Sequence, residues 1–258
     1  MATIHSTAIV EAGAELAEGV QVGPYAIIGP GVRVGRGTQI GSHSILEGKT
    51  EIGADCRIGS HVVIGAPPQD VKYHGEETRV EIGDSTIIRE FASVHRGSVG
   101  GEGVTRVGAR CFLMAYTHVA HDCQLGEQVI MVNAAALGGH VVLERFVIVS
   151  GMTAVHPFAR LGECAYIGGC SAVRQDVLPY VKVSGNPAKP FGLNLVGLRR
   201  NGFPSETIHA LQHAYRVVFS QELNTSQALA QLEQEASPIP EVQRFRAFIR
   251  QSSRGVSK

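Results

Sequence analysis

The chain has 258 residues, enough for one large domain or one domain with an appendage. Its 23 Lys and Arg balance 23 Asp and Glu, so no global charge points to nucleic acid. No apolar stretch approaches the roughly eighteen residues of a membrane-spanning helix, and no apolar run behind a basic leader suggests a signal peptide. Five Cys, without a CxxC pair, fit a reducing cytosol better than a disulfide framework, so a cytoplasmic protein is expected.

From Ile4, steps of six residues give Val10, Leu16, Val22, Ile28, Val34, Ile40, Leu46, Ile52, Ile58 and Ile64. Gly often follows the aliphatic residue, as at Gly23, Gly29 and Gly35. The phase returns at Ile82, Ile88 and Val94, slips by one, and runs again from Val107 through Leu113, Val119, Leu125 and Met131 to Ile167 and Val173. An amphipathic helix would show a period near 3.6 and a plain strand a period of 2. A strict six is the hexapeptide β-helix signature. Each hexad forms a short strand and a corner, and three hexads, about eighteen residues, close one triangular coil. The aliphatic residue fills the axis of the prism. Two residues earlier the side chain also points inward, where a small group is needed. Cys56, Cys111 and Cys123 hold that second position and read as buried core thiols. Cys164 and Cys170 fall at outward positions and carry no functional case.

Two stretches break the count. Residues 66–79, "APPQDVKYHGEETR", and residues 97–105, "GSVGGEGVT", read as loops ejected from a regular coil, natural carriers of function on a rigid scaffold. The rhythm ends near Pro179, and the chain divides into a β-helix domain over 1–185 and a helical C-terminal domain over 186–258. "SETIHALQHAYRVVFSQ" opens with Ser205 as expected N-cap and has apolar residues at helical spacing. "TSQALAQLEQEA" and "PEVQRFRAFIRQ" are two further amphipathic candidates. From Pro179 onward ten Lys and Arg stand against five Asp and Glu. That excess suits an acidic partner, with Arg199, Arg216, Arg244 and Arg246 as docking residues, or it is an ordinary solvated helical surface.

"YTHVAHDCQLG", residues 116–126, holds His118 and His121 on either side of inward Val119, so both project outward. Eighteen residues on, Gly139 stacks on His121, with His140 beside it; His156 belongs to the following coil. Four histidines thus share one patch. A neutral His is a capable general base near pH 7, and Asp122 could orient its ring or merely serve the turn. Gly139, without a side chain, could offer a backbone N–H to a developing oxyanion. A metal site built from imidazoles is the rival; no clear third ligand stands at a fixed short spacing.

Together with that patch, "PPQDVKYHGEETRVEIGD", "VHRG", "AHDC", "GGH", "GMTAVH", "GGCSAV", "DVLPYV", "GNPA" and "GLRRNGF" resemble the UDP-N-acetylglucosamine O-acyltransferases, which perform the first step of lipid A biosynthesis. The resemblance spans essentially the whole chain. It implies a left-handed prism, an exception to the right-handed crossover rule, and a homotrimer with active sites in the clefts between neighbouring prisms. It also implies transfer of a 3-hydroxyacyl chain from acyl carrier protein to the 3-hydroxyl of UDP-N-acetylglucosamine, with no cofactor and no metal. By that resemblance His121 is the general base, Gly139 the oxyanion donor, and His118, His140 and His156 are substrate-site histidines. Gln69, Asp70 and Lys72 match the sugar and phosphate loop, and Asn194 and Arg200 lie near the nucleotide. Gly169 matches the position that limits acyl-chain length. Three departures stand out: Val196 replaces a frequent Glu, Asn201 a usual second Arg, and Pro157 a common Gln. The first two bear on nucleotide contacts and the third on the acyl channel.

Readings from other classes remain. A γ-type carbonic anhydrase shares the prism, but the loop and the helical tail argue against it. A non-catalytic scaffold does not call for clustered histidines. The later N-acyltransferase of the same pathway usually carries a domain before its β-helix, whereas here the hexads begin at Ile4.

Overall fold

The computed structural model describes residues 1–220 and 222–258. It is a left-handed parallel β-helix carrying a helical C-terminal segment. Two- to five-residue strands stack into three sheets of eleven, nine and eight strands. The register advances by eighteen residues per coil, as in His118 opposite Ala136 and Ala136 opposite Ala154. Where loops are ejected the step is longer, as in Ser93 opposite His118.

The inward aliphatic residues are fully buried, among them Ile28, Leu46, Ile64, Leu113, Met131 and Leu137. Each contributes roughly 1.5–3 kcal/mol by leaving water. Cys56, Cys111 and Cys123 are buried as the hexad phase requires. Burial pushes the Cys111 thiol up to about 11 and Cys123 up to about 12, so neither supplies a thiolate at neutral pH. The ejected loops are slightly shorter than the phase break suggests. Strands reach Ala66 and resume at Arg79 around the first, and reach His95 and resume at Val104 around the second.

The corners carry most of what is distinctive. One residue per corner takes a left-handed backbone conformation, including Asp122 at φ 59°, His140 at 62° and Phe158 at 65°. Asp and His tolerate this region better than most residues; for Phe it is a genuine constraint. Successive corners lie one above another, so their side chains form columns along the prism edges. One column, Tyr25, His43, His61, Phe91 and Tyr116, is a ladder of stacked rings with centroids 4.9–5.0 Å apart.

Beyond the prism, Lys189–Leu193 adds an antiparallel strand to the eleven-stranded sheet, so a strand lies within the 186–258 segment. Among the described residues four helices follow: α1 (Leu195–Arg200), α2 (Ser205–Val218), α3 (Thr225–Gln234) and α4 (Pro240–Gln251). Ser205 is the first residue of α2, not its cap; Pro204 precedes it without a side-chain cap. The capping box belongs instead to α3, between Asn224 and Gln227.

The helical segment is pinned by Glu163, whose side chain is only 1% exposed. Its carboxylate pairs with Arg145 at 2.6 Å and with Arg244, and accepts from the Tyr180 hydroxyl at 3.2 Å. Arg244 is therefore engaged inside the molecule, and Arg246 donates to the Leu232 carbonyl at 2.8 Å. Of the four arginines expected on a docking face, Arg199 and Arg216 remain exposed and outside these contacts. Cys164, expected to face outward, is buried where this segment covers the prism: the Asn194 amide donates to its carbonyl at 2.9 Å.

Candidate functional site

The turn that follows strand His118–Val119 carries His121 and Asp122. Asp122 is almost wholly buried and fixed from three sides. Its carboxylate accepts from the Ser98 amide at 3.0 Å and the Ser98 hydroxyl at 2.7 Å, and its own amide donates to Thr105 Oγ1 at 2.8 Å. The remaining reach of Oδ2 goes to His121 Nδ1, 2.8 Å away. A carboxylate at Nδ1 leaves Nε2 as the nitrogen free to take a proton.

Gly139 lies one coil above. A Cβ built there would come within 2.6 Å of His121 Cε1 and Nε2, so the ring occupies the space any other residue would fill. The eighteen-residue stacking anticipates this juxtaposition. Among the described residues, the Gly139 N–H has no hydrogen-bond acceptor within the chain. Gly101, from the second ejected loop, is a second forced glycine: its Cβ would meet Asp122 Cγ at 2.5 Å and His140 Cε1 at 2.9 Å.

The neighbouring imidazoles are arranged around this pair. His140 meets His121 edge-on at 5.1 Å, with Nε2 3.8 Å from Asp122 Oδ2. Burial lowers its pKa against the opposing pull of Asp122; nearby Asp70 also favours its charged form. The first ejected loop thus reaches this edge. Within that loop the Asp70 side chain accepts from the Lys72 amide at 3.0 Å, and the Tyr73 hydroxyl receives Arg96 at 3.1 Å. Gln69 and Lys72 are exposed. His118 Nδ1 lies 2.8 Å from Ser93 Oγ, and burial, then His121, lowers its pKa. His156 lies on the next coil, its Nδ1 2.9 Å from the Pro157 carbonyl and 3.1 Å from an Arg254 nitrogen.

Sequence reasoning missed Ser98, Thr105, Gly101 and His95. The first three belong to the phase-slip loop or its strand, where the hexad count stops giving positions. His95 stands one residue past inward Val94, buried, edge-on to His118 at 4.9 Å and with Nδ1 unpartnered. Burial first, then the charges of His118, His121 and Arg96, bring its pKa down to about 4. The unfolded chain binds this proton near pH 6.5 and the folded chain only near 4. Stability present above pH 6.5 is therefore lost as pH falls between those values, by about 3 kcal/mol at most. Urea midpoints at pH 7.5 and 4.5 test this: His95→Phe should shrink the acid-induced drop, and an unchanged drop would remove His95 as its source.

His121, Asp122 and His140 bring three potential ligand atoms within 4.8 Å of one another. The Asp122 carboxylate is, however, already filled by Ser98 and His121, an arrangement that serves to orient an imidazole. Asn194 and Arg200 lie elsewhere, beside an apolar cleft on the eleven-stranded sheet with Phe112, Ile148, Tyr166 and Phe191. The Asn194 side chain is spent on the Cys164 carbonyl and on capping α1 through the Gly197 amide, while Arg200 is exposed. Within one chain, the cleft and the histidines stand on different parts of the prism.

Comparison with known proteins bears on this arrangement. A family profile described as "Udp N-acetylglucosamine O-acyltransferase; Domain 2" matches residues 176–257, and one described as "Bacterial transferase hexapeptide (six repeats)" matches residues 1–36 and 31–66. The acyl-[acyl-carrier-protein]–UDP-N-acetylglucosamine O-acyltransferase of Alkalilimnicola ehrlichii is 52% identical over 256 residues, covering 99% of both chains. That of Anaeromyxobacter dehalogenans is 50% identical over 255 residues, again with 99% of both covered. The solved UDP-N-acetylglucosamine acyltransferase from Campylobacter jejuni superimposes with a TM-score of 0.94 at 36% identity, and a solved structure from Acinetobacter baumannii with 0.96 at 42%; each comparison covers 99% of both chains.

Proposed function

The chain belongs to the UDP-N-acetylglucosamine O-acyltransferase family, and on that premise we propose that it transfers a 3-hydroxyacyl chain from acyl carrier protein to the 3-hydroxyl of UDP-N-acetylglucosamine, the opening step of lipid A biosynthesis, with His121 as general base. The observation that carries the mechanism is the buried Asp122 holding His121 Nδ1 at 2.8 Å directly beneath Gly139. His121 Nε2 takes the proton of the sugar hydroxyl as its oxygen attacks the thioester carbonyl. The oxyanion that forms accepts from the Gly139 N–H. As the carbon–sulfur bond breaks, the imidazolium returns its proton to the departing thiolate of the carrier. Asp122 stabilises the transient imidazolium, and Ser98 keeps Asp122 from turning away. Gln69, Asp70 and Lys72 present the sugar nucleotide from the first loop, and His118, His140 and His156 line the acceptor side. None of these steps calls for a metal or cofactor. Purified protein with a panel of hydroxyacyl carrier proteins and both 3-hydroxyl and 3-amino nucleotide sugars, products read by mass spectrometry, tests the reading. An amino sugar acylated in preference would overturn the acceptor.

The working unit in this reading is a homotrimer. Two sheets support it. The eleven-stranded sheet turns Ile87, Phe112, Ile130, Ile148 and Tyr166 outward, and the nine-stranded sheet Ile9, Ile27, Ile45 and Val63. The eight-stranded sheet instead carries ion pairs such as Arg33–Glu15 and Arg106–Glu81, the surface expected to stay in water. The ring ladder runs along the edge where the two apolar faces meet. Packing one copy's first face on the next copy's second closes a ring with the ladders innermost, and brings Asn194 and Arg200 of one subunit toward the histidines of another. Phe91→Glu with Tyr116→Glu should convert a particle of three 27.4 kDa chains into monomers of low activity, by light scattering. A double variant that stays trimeric would remove the ladder from the interface.

Acyl carrier protein docks, in the same reading, on the exposed basic side of the helical segment through Arg199 and Arg216. Rim charges act mainly on association and weaken with salt. KM for the acyl donor should therefore rise several-fold on Arg199→Glu with Arg216→Glu and on raising ionic strength. A KM indifferent to both would sink the docking face.

A further inference from the structure

We propose that Phe158 is a positioning residue for the reacting histidine, acting through His140. The inference rests on His121 being the general base. Asp122, His140 and Phe158 hold equivalent corners of three successive coils, all left-handed in backbone conformation. Their side chains therefore leave the prism in one column. Phe158 lies flat on His140, centroids 4.3 Å apart and planes 5° from parallel. His140 in turn meets His121 edge-on and holds Nε2 3.8 Å from Asp122 Oδ2, the oxygen that also holds His121 Nδ1. Gly101 closes on His140 Cε1, where a Cβ would reach 2.9 Å. The ring is thus gripped between a loop glycine and a stacked phenyl group.

The core does not account for Phe158. It is 55% exposed, and its ring lies outside the hydrophobic cluster that fills the prism. A large aromatic group at a strained corner, half in water, stacks on His140, its ring partner among the described residues. Its backbone serves the same site, for the Phe158 amide donates to the Gly139 carbonyl at 3.0 Å and ties down the turn that bears the oxyanion donor. Without the phenyl face, the His140 ring is free to rotate toward solvent. Asp122 then serves His121 and Ser98 without His140. A carboxylate that serves fewer partners stabilises a neighbouring imidazolium more strongly.

Phe158→Leu and Phe158→Tyr, assayed as full pH–rate profiles with the intact trimer, separate positioning from bulk structure. In the Leu variant the acid limb of kcat/KM should move to higher pH by about half a unit, and kcat should fall about tenfold with little change in KM. Tyr, which keeps the stacking face, should restore both. A Leu variant with a wild-type acid limb, a loss seen only in KM or in the unfolding midpoint, or a Tyr variant that fails to rescue, would each overturn the proposal. The reading beneath it fails in a different place: turnover that survives His121→Ala with the wild-type acid limb removes the base itself.

Discussion

His121→Ala should lower turnover roughly a hundredfold to ten-thousandfold, the usual span for loss of a general base, while the chain keeps its fold and assembly. The two halves of that expectation come from different features. Catalysis is lost because the imidazole is held by a buried carboxylate on one nitrogen and placed under Gly139 with the other. The fold is kept because the ring points away from the prism axis. What His121 supplies to the coil is its backbone, whose carbonyl still accepts from the His140 amide at 3.0 Å. Removing the ring also opens the space beneath Gly139, so a small added base such as imidazole should restore part of the rate. Turnover is measured with a hydroxyacyl carrier protein as donor, and assembly by light scattering. A variant with near-normal turnover would take His121 out of the mechanism. A variant that is inactive and unfolded would show the residue to be structural.

The contrast between what the chain announces and what it hides follows from the repeat. Wherever the six-residue phase runs, position in the sequence is position in space. That is why the burial of Cys123, the stacking of Gly139 on His121 and the outward course of His118 are all legible from the hexads alone. The count fails where the chain leaves the coil. Ser98 clamps Asp122 from a loop inserted at the phase slip, 24 residues away. No periodicity connects them, and a serine in a glycine-rich loop has many blander explanations. The same limit hides the fate of Cys164 and Arg244. Hexad phase says which way a side chain leaves the prism, but not whether another segment then covers it. Here Glu163 and Cys164 leave the prism and are met by the helical segment, and Arg244, counted from composition as free basic charge, neutralises Glu163. Charge counting measures supply; only packing shows which charges are already used.

The second large effect expected is on chain length. Gly169→Met should shift donor preference from a hydroxymyristoyl-length toward a hydroxydecanoyl-length chain, whereas the wild type should favour the longer donor. The family resemblance supplies the role of this position, and its surroundings make the substitution informative. Gly169 is exposed at the turn after strand Tyr166–Ile167, and a Cβ there would meet only the Gly151 carbonyl, at an ordinary 3.4 Å. A longer side chain can therefore be added without forcing the coil, so lost activity toward long donors would not reflect a damaged prism. The apolar row Phe112, Ile130, Ile148 and Tyr166 leads toward the same end of the eleven-stranded sheet, a surface suited to hydrocarbon. Each further methylene buried along it contributes about 0.8 kcal/mol, so four of them would favour the longer donor by about two hundredfold. The thioether chain introduced by Gly169→Met would occupy the space that those last methylenes need, and the preference should collapse or invert while kcat/KM for the short donor holds. Tyr166 and Pro157 lie on the same and the preceding coil, and either could act as the barrier instead; in that case the wild type itself would prefer the short donor. Competition between hydroxyacyl carrier proteins of both lengths, against wild type and Gly169→Met, separates these outcomes. A short-chain preference in the wild type, or an unchanged preference in the Met variant, would remove Gly169 as the ruler.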